Sequence, residues 1–301
     1  MYSVVLVCIG KFQEYILTNL EFLIRLEHKS IVVLTQRDFF PLFDFENHPT
    51  FYLHVQLIPV EELEDKFQYL SNTRMDSSFR DGFWTNASMR FFYLYAYMNK
   101  YNIENIVHIE NDVMLFYNVS LLEPYLNLAG NDKIYLPFDS YERNIASIVF
   151  IPTAELLGRV LEHYNTEWND MQNFVSIYKR FPSWIDSFPI SILGVETGND
   201  EIDFVCKNYH KFGGFIFDAA AIGQYLGGVD PVNIPGDSIG FINETCVIKY
   251  NIFYFHWKLI DGVFCPFMGT TDPSVMNGKG KLEFPIFNLH IHCKDLKGFI
   301  L

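Results

Sequence analysis

The chain has 301 residues, half of them hydrophobic and 17% aromatic, with 30 Phe and 18 Tyr; this excludes a disordered chain and provides for one large α/β domain or two small ones. A balance of 22 basic against 36 acidic residues gives a formal charge of −14, which argues against general binding to nucleic acid or anionic membranes and requires a local basic pocket for any anionic ligand. Five scattered cysteines (Cys8, Cys206, Cys246, Cys265, Cys293) form no CxxC pair, so reduced thiols in a cytoplasmic setting are expected, with neither a disulfide framework nor a zinc knuckle.

In chain order, residues 3–9 (SVVLVCI) form a short apolar run that ends at Gly10, the pattern of a buried parallel strand and its turn. Apolar residues at near-helical spacing predict a helix within 11–28, and residues 31–34 (IVVL) the next strand, so the chain opens as a βαβ unit. Residues 38–52 read as irregular loop, 53–58 as a third strand, 60–70 as an acidic helix and 71–82 as a polar connection. A helix with an aromatic face is expected over 84–100, followed by a strand within 106–116 (IVHIENDVMLF). Further on come a short helix over 121–128, strands near 133–137 and 145–151, and helices near 153–165 and 168–180. Residues 181–212 give no clear pattern. Strand character returns at 213–217, a helix is expected over 219–226, and β-rich pieces near 247–256 and 284–291 close the chain. No signal-peptide pattern or apolar run of membrane-spanning length is present, so the sequons at Asn86, Asn118 and Asn243 read as accidental.

Two groups of residues carry chemistry. In the first, a buried strand runs into Glu110-Asn111-Asp112. In extended chain residues i and i+2 point the same way, which directs Glu110 and Asp112 at one spot at the carboxyl end of a strand, where open α/β sheets bind ligands. Carboxylate oxygens there suit a hard divalent cation such as Mg²⁺ or Mn²⁺; the bland alternative is a solvated acidic turn. The second is Asn288-Leu289-His290-Ile291-His292-Cys293-Lys294, where a strand would put His290, His292 and Lys294 on one face. A metal and a diphosphate would partner two imidazoles and an ammonium; the bland alternative is a solvated edge strand. His108 and His256, in apolar runs, read as core histidines.

A DxD-like triplet at a strand end together with a C-terminal His/Lys motif resembles the GT-A glycosyltransferases. The resemblance implies a Rossmann-type mixed sheet flanked by helices in a single domain over 1–301, with a nucleotide-binding half (1–118) and a less regular acceptor-binding half (119–301). It implies a nucleotide-sugar donor, UDP-sugar by family habit, a glycan or other hydroxyl acceptor, and Mn²⁺ or Mg²⁺ as the cation. Asp112 would bind the metal, and Glu110, placed with it in the metal site, would contact the donor ribose or the metal indirectly; His290 or His292 would be a further ligand, and Lys294 would bind the diphosphate. The triplet here is ExD, and the spacing departs from the family's HxxGxxK, so the choice between the histidines stays open. The nucleoside would lie against the turn Cys8–Lys11, including Gly10, and against Thr35 and Gln36, with Arg90 reaching donor phosphate or sugar. Asp218, before Ala219-Ala220-Ala221, resembles the acid at the sugar end of such sites, as general base or as an orienting group; a plain helix N-cap would explain it equally. The turn at Gly227–Pro231 could approach a sugar, and Asp237 and Glu244 could contact acceptor. The other readings are a metal-dependent phosphoester hydrolase and a nucleotide-sugar binding protein without turnover.

Overall fold

The structure, a computed structural model, describes residues 2–76, 78–128, 132–192, 198–227, 245–270 and 282–300. The segment 228–231, Asp237, Asn243 and Glu244 lie outside the described residues. Its contacts divide the chain into two compact units, each drawn from separated stretches: Met1–Asn111, Gly130–Tyr135 and Val149–Asp186 in the first, and Asp112–Ala129, Leu136–Ile148 and Ser187–Leu301 in the second. The two halves read from the sequence are consecutive, whereas these units interleave along the chain.

The first unit is built on strands β1 (Ser3–Cys8), β2 (Ile31–Thr35), β3 (Val55–Pro59) and β4 (Ile106–Ile109), all parallel, in the order β3-β2-β1-β4. In β1, β2 and β4 near-continuous β-branched and aliphatic runs are buried on both faces, as a parallel sheet requires, whereas β3, at one end of the strand order, exposes Gln56. Beyond β4 the order continues through β8 (Ile148–Ile151) to β6 (Ile134–Ser140), antiparallel to it through Tyr135 and Phe150, which makes the sheet mixed. Helices α1 (Tyr15–Arg25), α4 (Phe83–Tyr101), α6 (Ala154–Glu162) and α7 (Asp170–Arg180) flank it, with α4 packed against both α6 and α7. The fold is thus the mixed α/β arrangement read from the sequence. Among the described residues, no helix is long and apolar enough to cross a membrane.

The second unit centres on β13 (Leu282–His290). It pairs with β12 (Val263–Thr270), itself hairpinned to β11 (Tyr254–Ile260), and further along with β10 (Ile216–Phe217) and β5 (Val113–Leu115). The short helices α5 (Glu123–Leu128) and α8 (Asp200–Cys206) and the strand β7 (Arg143–Asn144) complete it. Strand β9 (Ile185–Phe188) and α8 fall in the stretch that gave no pattern in sequence.

Several elements differ from the sequence reading. The expected acidic helix over 60–70 is a 3-10 turn, Val60–Glu62, and a single helical turn α3 (Tyr69–Asn72), because Leu63 is extended (φ −99°, ψ 120°) and Gln68 takes the left-handed conformation (φ 52°) between them. Within 38–52, read as loop, are a 3-10 helix Arg37–Phe43 and a helical turn α2 (Phe51–His54). The strand expected through 106–116 is broken at 110–112 into β4 and β5, so the i, i+2 argument for Glu110 and Asp112 does not apply. The helix over 219–226 is replaced by a turn and the 3-10 helix Gly223–Leu226, since Ala220 is left-handed (φ 54°) and cannot continue an α-helix.

Two buried histidines give the first unit an acid-sensitive core. His28 donates from Nδ1 to the Leu23 carbonyl (2.9 Å) and His108 from Nδ1 to Val5 (2.9 Å). Burial pulls their pKa values down, to about 4 and about 3. The unfolded chain therefore binds more protons below about pH 6.5, and the stability these neutral rings contribute is full above that pH and lost as pH falls toward the folded values. We expect the urea midpoint to drop between pH 7 and 4.5, and His28→Asn to show a shallower drop; an identical slope in the variant would remove His28 as a source.

Candidate functional site

The second unit brings the late histidine–lysine segment to Asp112. Strand β5 runs antiparallel to β13 with His290 opposite Val113, and the Ile291 amide donates to the Asp112 carbonyl (2.9 Å). That register alone sets residue 112 beside residue 290. Oδ2 of Asp112 accepts from His290 Nε2 (3.2 Å) and forms an ion pair with Lys294 Nζ. Asp112 is buried (6% exposed), and burial pushes its carboxyl up; Lys294, then His290, outweigh this and hold it well below the ordinary carboxylate range.

His290, His292 and Lys294 do not share a strand face. β13 ends at His290, and Lys294 lies in a turn at φ 61°, its amide bonded to the Ile291 carbonyl (3.1 Å). The turn returns Lys294 to Asp112. His292 stacks on His290 (ring centroids 4.5 Å, planes 9° apart), and its Nε2 lies 3.2 Å from the Ala220 carbonyl. A carbonyl only accepts, so that nitrogen carries the hydrogen. Burial, with His290 adding, lowers the His292 pKa to about 4, so the ring is neutral.

Asp218 is fully buried in the same unit. Its Oδ1 accepts from the amides of Ala221 and Ile222 (2.7 Å each) and its Oδ2 from those of Gly223 and His290 (3.0 Å each).

In the first unit, Glu110, itself partly exposed, belongs to a trio around the buried Arg90. Arg90 on α4 bonds Glu110 through Nη1 and Asp170 Oδ2 through Nη2 (2.6 Å), at 8% side-chain exposure. Burial disfavours the guanidinium charge, but Glu110 and Asp170 outweigh it and raise its pKa. Burial pushes the Asp170 carboxyl up; Arg90 opposes this and the Glu110 charge adds to it. Both terminal nitrogens of Arg90 are thus engaged with carboxylates rather than turned to a donor phosphate. Sequence reasoning missed Asp170. Its only local mark is the capping box of Asn169 and Gln172 at the start of α7, which says nothing of Arg90.

Asn111, the middle of the triplet, was also missed. Its amide donates to the Val7 carbonyl (3.0 Å) and Gln13 Oε1 (2.5 Å), and its carbonyl accepts from Asn19 (3.1 Å), tying the end of β4 to the end of β1.

Of the expected nucleoside contacts, Cys8 and Thr35 are fully buried and face each other, the Thr35 hydroxyl donating to the Cys8 carbonyl (2.7 Å). Burial raises the Cys8 thiol to about 11. Neither residue presents accessible surface to a ligand. Gly10 sits at φ 76°, donates its amide to Gln36 Oε1 (2.7 Å), and a Cβ there would lie 2.5 Å from Asn86 Nδ2. His108 is a core residue; His256 is half-buried beside Glu283 (3.5 Å).

No protein-family model and no curated protein sequence matches the chain. Among solved structures it is similar to apo mouse xyloside xylosyltransferase 1, at 10% identity and TM-score 0.43 over 62% of this chain and 85% of that one. It is similar also to apo glycosyltransferase GlyE of Streptococcus pneumoniae TIGR4 (13%, TM-score 0.39, 62% and 44% covered). A third is a cytidylyltransferase from Leptospira borgpetersenii (12%, TM-score 0.37, 62% and 75% covered).

The Arg90 trio generates one prediction. Arg90→Met leaves the buried Asp170 and the partly exposed Glu110 without their cation, which costs about 3 kcal/mol. Chemical denaturation at neutral pH should show a loss of that order, partly recovered in Arg90→Met/Asp170→Asn. A single variant as stable as wild type would contradict the assignment.

Proposed function

We propose that the protein is a metal-dependent glycosyltransferase of the GT-A kind, moving a sugar from a nucleotide-diphosphate donor, UDP-sugar in the first instance, to a hydroxyl acceptor. The observation that carries this reading is the meeting of Asp112 with His290 and Lys294, residues 178 and 182 positions away in sequence. One carboxylate served by an imidazole and an ammonium on a −14 chain would become a local cationic place suited to an anionic leaving group once a divalent ion is held there.

The donor set fits a divalent cation. Oδ2 of Asp112 and Nε2 of His290 are 3.2 Å apart, close to the separation of about 3 Å between neighbouring ligands of an octahedral ion with bonds near 2.1 Å. A carboxylate and an imidazole together favour Mn²⁺ over Mg²⁺. His290 is the ligand in this reading because its Nε2 faces the Asp112 carboxylate and would give up its hydrogen to the ion, whereas the His292 Nε2 faces only the Ala220 carbonyl. Bound there, the ion would act as a Lewis acid that offsets the charge developing on the departing diphosphate. Lys294, whose side chain is 44% exposed, would turn its ammonium from Asp112 to the diphosphate oxygens. Within the first unit, Glu110 is held by Arg90. Arg90 acts on Glu110, not on phosphate.

A thermal-shift panel of nucleoside diphosphates with and without Mn²⁺ tests the proposal. Wild type should gain about 2.7 kcal/mol at a ligand concentration a hundred times Kd, with UDP and Mn²⁺ each needed for the other's full effect. Asp112→Asn should abolish the metal-dependent part while staying folded; an undiminished shift would assign the site elsewhere. With UDP-sugars and Mn²⁺ but no acceptor, slow release of UDP is expected, whereas rapid turnover of simple phosphoesters would favour a hydrolase.

A further inference from the structure

We propose that Asp218 is a positioning residue that fixes His290 against Asp112, and not a base or sugar-orienting acid; this rests on reading Asp112 and His290 as the cation's ligands. A carboxylate has about four lone-pair directions. In Asp218 all four are taken by backbone amides, from Ala221, Ile222, Gly223 and His290, and the residue has no exposed surface. No lone pair is left to remove a proton from an acceptor hydroxyl, which a general base must reach at hydrogen-bond distance.

What the carboxylate does hold is the end of β13. Its Oδ2 accepts the amide of His290 itself. The backbone of Asp218 is in turn fixed, its amide donating to Asn288 Oδ1 (3.2 Å) and its carbonyl accepting from Ser147 (3.3 Å). The loop 218–223 wraps so closely on this strand end that a Cβ at Gly223 would lie 2.3 Å from the His290 carbonyl oxygen. The same loop supplies the Ala220 carbonyl that anchors His292, whose ring lies flat on that of His290. The loop thus holds the His290 main chain directly and one face of its imidazole through His292. Ala220 takes a left-handed conformation (φ 54°) to do so, a strain that the surrounding bonds must sustain.

Two variants test this, Asp218→Asn and Gly223→Ala, the second leaving the carboxylate in place. Three quantities are read: hydrogen exchange at the His290 amide without metal, Mn²⁺ affinity by titration, and the nitrogen coupling of bound Mn²⁺ in pulsed electron paramagnetic resonance. Positioning predicts faster His290 exchange in Asp218→Asn, Mn²⁺ affinity at least tenfold weaker in both variants, and a reduced nitrogen coupling. Turnover should recover as Mn²⁺ is raised. A base predicts unchanged affinity and coupling in both variants, with turnover lost in Asp218→Asn at every Mn²⁺ concentration; that result overturns the proposal. A role in stability alone would lower Tm and leave affinity and coupling unchanged, and overturns it too. If Asp218→Asn does not fold, Gly223→Ala decides. Should wild type show no Asp112-dependent Mn²⁺ binding, the metal reading itself fails, and His290 exchange still decides whether Asp218 holds that strand end.

Discussion

The structure depends most on one carboxylate. Asp112 is withdrawn from water, an arrangement that costs several kcal/mol for a lone ion, and it is kept charged by Lys294 and His290 together. Neither partner is near it in sequence. They meet because a three-residue strand, β5, pairs antiparallel with the last three residues of β13, so the residue before β5 stands beside the residues after β13. The backbone register makes the contact; the side chains make use of it. Slipping β5 by one residue would turn every side chain to the other face and separate Asp112 from both.

The acidic balance of the chain gives this cluster its meaning. With −14 overall, a negatively charged ligand is repelled by most of the surface and must be received where positive charge is concentrated. The arginine on α4 is not that charge, since its guanidinium is spent on Glu110 and Asp170. Lys294 is the better candidate. It pairs with Asp112 while its side chain keeps substantial exposure, so it can exchange one anionic partner for another. A buried arginine between two carboxylates cannot do this without leaving one of them uncompensated, and it acts as a fixed support.

Much of the first unit was legible because buried parallel strands are written as uninterrupted apolar runs, as in β1, β2 and β4, and because α4 and α1 carry helical periodicity. The acidic stretch 60–70 was not, since its breaks lie in the backbone of Leu63 and of Gln68, the latter a residue with no strong preference for that conformation. The break at 110–112 was hidden for another reason: Asn111 is held by Val7, Gln13 and Asn19, partners about a hundred residues earlier. At the site, residue types could be read and roles could not. Asp112, His290 and Lys294 stand out as carboxylate, imidazole and amine beside strand residues. Arg90 looked like a ligand contact and is bound up internally; Asp218 looked like an acid at a sugar and accepts four main-chain amides; His292 looked equivalent to His290 and is its stacking support. In each case the deciding partner comes from a distant element, which local pattern does not encode.

The central claim is that Asp112 and His290 hold one divalent cation between them. The most direct measurement is anomalous diffraction at the manganese absorption edge, from crystals grown with MnCl₂ and UDP. The account predicts a single strong peak within bonding distance of the Asp112 carboxylate and His290 Nε2, with Lys294 turned to the diphosphate. A map with no peak there at saturating manganese, or with the peak held by other side chains while Lys294 stays on Asp112, would contradict it.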